Sequence, residues 1–406
     1  MRHLVIFFGL LLGCLMLSAQ EPTKATNPVK MTVDFLPEEN WSLARSTAAA
    51  QGKYLLVDAY TDWCYWCKVQ DKQTFSDPDV GAFLNETLVS VKLDFERGDG
   101  VELARKYRVQ AYPTLLFFDA EGHLIGRISG YIEDKEQFIA TVEEALQPEN
   151  QEPMVGDPNE LDPGFPDFYV KAFGPNGERT RPKAEVVAEW LAGQDDLFSE
   201  VAYDVLLMMP LDEEWSAYFL ENQSTYAERF IPREVEDRMT SLLMPPVYQA
   251  IRAQDEAAFK AAVEQVHQYL PEAKARDATL WPQVAYHLQG KAFEQAVAQV
   301  NETILPQAET GDYDNMLNSV AWTLYEESEH AELLQSAASW MQGVVQRHPD
   351  NYAYLDTQAA VLYQAGDYPA ALRMAETAIR AGQAGGEDVS STEKLLEEIQ
   401  AAMGGR

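Results

Sequence analysis

Apolar and polar residues alternate through Met31-Thr32-Val33-Asp34-Phe35, which predicts a first strand. From Trp41 to Gln51 the apolar and small residues fall at helical spacing, and Gly52 follows as a stop. Tyr54-Leu55-Leu56-Val57-Asp58-Ala59-Tyr60 is an apolar run of strand length broken by one acid, so a buried strand is expected. Lys68 to Phe75 returns to helix-forming residues, and Val80 to Asn85 predicts a short helical piece. Leu88 to Asp94 reads as a strand, Val101 to Tyr107 as a helix, and Thr114 to Asp119 as an apolar strand. Glu121-Gly122 predicts a hairpin turn into a strand over His123 to Ile128, and Glu133 to Leu146 an amphipathic helix. The predicted order is βαβαβαββα over residues 30–148.

The pattern then changes. Gln147 to Pro166 is rich in Pro, Glu, Asp, Asn and Gly and reads as an acidic linker over 149–166. Beyond it helical periodicity dominates, giving a helical domain over 167–310 with helices at 183–191, 197–209, 213–222, 233–253, 256–270, 280–287 and 292–304. Gly193, Pro210, Pro245-Pro246, Pro271, Pro282 and Gly290 are expected to break or bound these helices. Over 311–406 a repeat emerges. Ala321-Trp322-Thr323-Leu324-Tyr325 recurs as Ala359-Ala360-Val361-Leu362-Tyr363, and Ala337-Ala338 with Met341 and Val344 as Ala371-Leu372 with Ala375 and Ala378. Pro349-Asp350-Asn351 separates the units and Gly366-Asp367-Tyr368-Pro369 turns into a second helix. This stretch is similar to tetratricopeptide repeats, whose stacked helix pairs hold peptides or proteins on a concave surface. Trp281, Trp322 and Trp340 are expected in the core.

Charge and the N-terminus narrow the function. The formal net charge is −34, with 65 acidic against 31 basic residues. A phosphate backbone would be repelled, so nucleic acid is not an expected partner. Met1-Arg2-His3 followed by Leu4 to Leu17 and Ser18-Ala19-Gln20 reads as a signal peptide over residues 1–20. The competing readings are a retained N-terminal anchor and a lipoprotein box at Leu12-Gly13-Cys14. Only these would bring a membrane into play. The expected location is periplasmic or secreted.

The candidate chemistry lies in Asp62-Trp63-Cys64-Tyr65-Trp66-Cys67-Lys68. Two cysteines two residues apart can form half a metal site, a structural bridge or a dithiol–disulfide couple. A zinc site needs further soft ligands. The third cysteine, Cys14, belongs to the leader, and His3, His123, His267, His287, His330 and His348 are scattered. The flanks favour redox chemistry. A strand that runs into Cys-x-x-Cys and opens a helix sets the first sulfur at a helix N-terminus, where unpaired N–H groups and the dipole stabilise a thiolate. Cys64 is then the nucleophile, and the more exposed of the two, and Cys67, one turn further in, resolves the mixed disulfide. Without a third cysteine as relay, electrons must come from or go to an external redox protein or a small thiol.

Met31 to Gln147 resembles the thioredoxin family. Trp63-Cys64-x-x-Cys67-Lys68 matches its active-site motif, Asp58 its buried acid, Lys92 the lysine facing that acid, and Tyr112-Pro113-Thr114 its cis-proline loop. Thr74-Phe75-Ser76-Asp77-Pro78-Asp79-Val80 looks most like the secreted thioredoxin-like group. The resemblance implies an α/β thioredoxin fold ahead of an all-α, tetratricopeptide-like region. It also implies a proton acceptor for Cys67 at Asp58, with Lys92 as its partner, and substrate contacts at Trp63, Trp66, Tyr112 and Pro113. Tyr65-Trp66 depart from the Gly-Pro of thioredoxin. Losing that proline frees an N–H near Cys64 and favours the thiolate, whereas the rings desolvate it.

The expected function is that of an exported thiol–disulfide oxidoreductase. It acts on protein disulfides without a bound cofactor, in the reducing direction, and its helical region binds clients. A disulfide isomerase or oxidase, and a non-catalytic scaffold or chaperone docking through the thioredoxin fold, are the alternatives.

Overall fold

The computed structural model describes residues 31–37, 39–176, 178–310 and 313–404. The expected leader over 1–20 and Cys14 lie outside them. The chain divides into two compact units, the first ending at Arg181 and the second beginning at Pro182.

The first unit is built on a four-stranded sheet. Helix α1 (Trp41–Gln51) begins at Asn40, whose side chain accepts from Leu43 N, and ends at Gly52 with φ +61°. Then follow β1 (Tyr54–Tyr60), α2 (Tyr65–Gln73), α3 (Pro78–Thr87), β2 (Leu88–Asp94), α4 (Asp99–Lys106), β3 (Thr114–Phe118), β4 (Leu124–Ser129) and α5 (Lys135–Leu146). Strand order is β2-β1-β3-β4, with β1/β2 parallel and the other pairs antiparallel. Because strand side chains alternate between faces, Leu56 and Asp58 share one face with their partners Phe117 and Leu115. That face packs with Phe75, Leu84, Phe138 and Val142 in one core. On the other side Trp41, Tyr107 and Phe118 meet edge to face, with centroids 4.9–6.3 Å apart.

Three boundaries differ from the sequence expectation. Met31–Phe35 is not a strand. Only Phe35 bridges to Ser90, while Thr32 N and Val33 N both donate to Phe75 O and Asp34 N to the Asn85 side chain. The alternation is real, but its N–H groups are satisfied by a helix end and a side chain, not by a ladder. Residues 149–166 do not hang free. Glu152 N and Met154 N donate to Ile125 O and Leu124 O beside β4. The buried Lys106 ammonium takes the carbonyls of Asp157 (3.0 Å) and Glu160 (2.7 Å). Helix α6 (Asp167–Ala172) belongs to this first unit, not to the helical one. Phe165, Tyr169 and Phe173 are buried in a row, and the Tyr169 hydroxyl donates to Arg105 O at 3.4 Å. The linker composition hides these apolar anchors, which lie at its end.

The second unit is helical from Ala184–Ala192 to Ser390–Gly404 among the described residues. Pro245-Pro246 and Pro282 do not break it. They lie inside the helices Pro232–Ala253 and Glu272–Gln289. Each proline removes one helical N–H, yet Val235, Met239, Leu243, Val247 and Ile251 carry one buried stripe past the pair, and that burial outweighs the missing bonds. Glu272–Gln289 also starts well before the expected 280, because its first turns are mostly polar and carry little periodicity. The helices Asp314–Glu327, Ala331–Arg347, Tyr352–Gln364 and Tyr368–Gly385 follow in succession. The related positions Ala321 and Ala359, Ala337 and Ala371, and Val344 and Ala378 are fully buried. Asn351 and Asp367 cap their helices through side-chain oxygens, and Gly366 sits at φ +84°. Trp340 is buried, and Trp281 and Trp322 pack partly buried against the cores.

Gly100 seats α4 against the end of β2. A Cβ there would lie 2.1 Å from Asp94 O and 2.9 Å from Phe95 Cα, both backbone atoms. Gly100→Ala is expected to lower stability by about 1–3 kcal/mol, read as a fall in the urea midpoint at unchanged slope.

Candidate active site

β1 ends at Tyr60 and α2 opens at Tyr65, so the chain turns over four residues and Cys64 becomes the N-cap of α2. Cys64 and Cys67 are joined by a disulfide. The N–H that reaches Cys64 Sγ is that of Cys67, at 3.0 Å. On reduction, the same helix-end N–H and dipole are in place for a Cys64 thiolate. Cys64 is not the more exposed cysteine: both are 3% exposed. The bond holds both sulfurs against one helix end, and it is the neighbouring aromatic side chains that project. Trp63, Tyr65 and Trp66 are 53%, 68% and 53% exposed.

These rings are held unequally. Trp66 stacks on Tyr131 with centroids 5.6 Å apart, and Tyr65 meets Trp66 edge-on. Trp63 donates its indole N–H to Glu96 Oε2 at 2.8 Å and lies edge-on to Tyr112 at 6.0 Å. Tyr112–Pro113 is a cis peptide bond. The Trp63–Tyr112 contact thus joins the residue before Cys64 to the residue before Pro113. Burial pushes the Tyr112 phenol up, opposed by the Arg179 guanidinium beside it.

Asp58 lies on the face of β1 that looks to α2, only 1% exposed. Parallel register sets it beside Lys92, whose ammonium donates to Asp58 Oδ2. Cys67 and Gln70, three apart on α2, are its buried residues, and Gln70 Nε2 donates to Asp58 Oδ1 at 3.4 Å. Asp58 is therefore tied to the helix face that carries Cys67. Lys92 also donates to Asp71 Oδ1 at 2.6 Å and sits 5.0–5.3 Å from the ring centroids of Tyr60, Phe35 and Phe75. One ammonium serves two carboxylates. Burial pushes the Asp58 carboxyl up; Lys92 opposes this without cancelling it, and the Asp71 charge adds to the rise. Burial draws the Lys92 ammonium down, but the two carboxylates outweigh that and hold it above the ordinary lysine value. The arrangement can keep a proton on a buried acid next to a dithiol helix.

All eight residues singled out in the sequence fall in these two linked groups. The sequence reading missed Gln70, Asp71, Glu96, Tyr131 and Arg179. Gln70 and Asp71 carry a faint signal, three and four residues after Cys67 on one helix, whereas Glu96 and Arg179 carry none.

The raised Asp58 carboxyl has a consequence for stability. Folded protein keeps the proton at a pH where the unfolded chain has lost it. The fold therefore weakens as pH rises from the ordinary carboxylate value through the raised one. Asp58→Asn removes the buried charge and leaves Lys92 paired with Asp71. At neutral pH it is expected to be more stable than the natural chain, because its neutral amide bears none of the cost of a buried carboxylate whose proton the unfolded chain has already lost. The gain should vanish in acid, as thermal melting between pH 3 and pH 8 will show.

Residues 41–146 match the family model described as a thioredoxin-like domain. A thiol:disulfide interchange protein DsbD of Citrobacter koseri is 39% identical over 95 residues, which is 23% of this chain and 17% of that protein. The chain thus spans less than a fifth of this relative's length. Among solved structures, a Bacteroides thetaiotaomicron protein put forward as a disulphide-isomerase is 36% identical, covering 29% of this chain and 96% of that one, with a TM-score of 0.27. A thioredoxin from Thermus thermophilus is 26% identical over 28% of this chain and 86% of its own, with a TM-score of 0.26. Trp41 to Leu146 is a thioredoxin-like domain, carrying the Cys64–Cys67 disulfide and continuing in the same chain into a long all-helical region.

Proposed function

We propose that the protein is an exported thiol–disulfide oxidoreductase that reduces protein disulfides through Cys64 and Cys67. The observation that carries this reading is the disulfide at the N-cap of α2 with a buried acid tied to the inner face of the same helix. The Cys64 thiolate attacks one sulfur of a substrate disulfide and displaces the other as a thiolate. Cys67 passes its proton to Asp58, which Lys92 holds in place, and attacks Cys64 Sγ. That step releases the second substrate sulfur and leaves the Cys64–Cys67 disulfide. Two electrons have moved to the substrate, and an external redox protein or small thiol returns them. Trp63, Trp66, Tyr112 and Pro113 form the contact surface for the substrate. The exposed rings support this, since large apolar side chains clustered in water mark a contact surface.

The helical unit is a tetratricopeptide-like array that binds clients or partners. It contains a cleft of about 430 Å3 between the helices Ala331–Arg347, Tyr352–Gln364 and Tyr368–Gly385. Gln358 lines it with a buried side-chain oxygen that has no partner among the described residues. The proposed location is the periplasm or cell exterior, a reading supported by the signal-peptide pattern of residues 1–20. Among the described residues no helix is long and apolar enough to cross a membrane.

Equilibration with glutathione gives the decisive number. A reductase should show a reduction potential near about −270 mV, whereas a value at or above about −180 mV makes the pair an isomerase or oxidase. Cys67→Ser should accumulate mixed disulfides with protein substrates and Cys64→Ser should abolish exchange. If Cys64→Ser left the cellular role intact, the protein would be a scaffold.

A further inference from the structure

The stretch between α6 and residue 181 lies outside the thioredoxin-like domain in sequence, yet it fastens to both aromatic walls beside the cysteines. Glu96, just past β2, is the junction. Its Oε2 accepts the Trp63 indole N–H (2.8 Å), its Oε1 accepts the backbone N–H of Asn176 (2.6 Å), and Arg179 Nη2 lies 3.7 Å from Oε1. Arg179 Nη2 also donates to the Tyr112 hydroxyl at 3.3 Å, with its guanidinium carbon 5.9 Å from the ring centroid. The same guanidinium is anchored to its own turn, since Arg179 Nε donates to Gly174 O at 2.7 Å and Thr180 N to Lys171 O at 3.1 Å. Neither end of the bridge is loose, because Glu96 and Arg179 are only 15% and 29% exposed.

We propose that this stretch is a clamp that presets the substrate cleft, with Arg179 as the positioning residue that locks Trp63 and Tyr112 in their bound orientation for an extended, disulfide-bearing peptide. The inference rests on the oxidoreductase reading. Its physical basis is entropy. Aromatic walls already fixed by hydrogen bonds lose little freedom when a peptide docks, whereas free rings must be ordered at that moment. Arg179 touches neither sulfur nor Asp58, so its loss should weaken docking and leave the exchange step alone. The hydrogen bonds at stake are charge-assisted and partly sheltered.

The test compares the natural chain, Arg179→Ala, Arg179→Lys, Glu96→Gln and the double variant R179A/E96Q. Three readings are taken: steady-state reduction of a disulfide-linked peptide, reduction of dithiobis-nitrobenzoate, and the indole N–H signal of Trp63, assigned by its loss in Trp63→Phe. Arg179→Ala should raise KM for the peptide about five- to tenfold at unchanged kcat. Turnover of the small disulfide, which needs no extended cleft, should stay within twofold. The Trp63 signal should shift and exchange faster with water. Arg179→Lys restores charge but not the two-pronged geometry and should recover only part of KM. The double variant should cost no more than the worse single variant, because both cut one bridge. An unchanged peptide KM with an unmoved indole signal overturns the clamp, as do fully additive single effects. If the natural chain is inert towards both disulfides, the functional reading falls, and an unmoved indole signal in Arg179→Ala overturns the clamp by itself.

Discussion

The ion pair between Asp58 and Lys92 is the contact on which the rest of the candidate site depends. Parallel pairing of β1 with β2 sets the two residues opposite one another on one face. Burial makes the arrangement costly for a carboxylate, and a single ammonium shared with Asp71 compensates only part of the cost. A core built for stability alone would place an apolar residue at position 58, among Leu55, Leu56 and Val57. The charge is kept where Gln70 ties it to α2 and hence to Cys67. The strand register thus decides the protonation chemistry that the helix end can use.

What the sequence showed, and what it hid, follows from the range of the forces involved. The central strands and α1, α4 and α5 were legible because burial writes a period into the chain. The pairing of Asp58 with Lys92 was legible only through resemblance, since no local pattern joins two strands. Met31–Phe35 has the alternation of a strand, but its backbone finds partners at Phe75 and Asn85 instead of a neighbour strand. The stretch over 149–166 has the composition of a linker, yet Lys106 gathers its carbonyls. Pro245 and Pro246 carry a strong local penalty, and the buried stripe of their long helix exceeds it. In each case a tertiary contact overrode a local rule. Asp71 and Glu96 look like ordinary surface acids of a strongly acidic chain, so nothing in composition separates them from the many that are.

The site has a buried interior and an aromatic rim. Both cysteines are almost fully buried while Trp63, Tyr65 and Trp66 expose more than half their area. The solvent-exposed area of these indole and phenol rings gains nothing for the isolated fold. They gain when another surface covers them, and that surface must reach a sulfur set beneath the rim. On the proposed reading an extended segment does so, with its backbone seated near Pro113 and its side chains against the rings.

The clamp from Arg179 and Asn176 gives this rim a second control. In a domain ending at Leu146, Glu96 would lack its contacts to Asn176 N and Arg179, and the Tyr112 hydroxyl would lack the guanidinium beside it. The clamp residues stand within a few positions of Pro182, where the helical unit begins. On the proposed reading, a unit that takes protein disulfides gains from a segment whose geometry is fixed at the cleft. Hydrogen bonds from a connecting segment to both walls of the cleft supply that at low cost, since most of their atoms are backbone N–H, guanidinium and carboxylate already present. On the proposed reading, the selection of substrates is set by the stretch that follows the redox domain as well as by the redox domain itself.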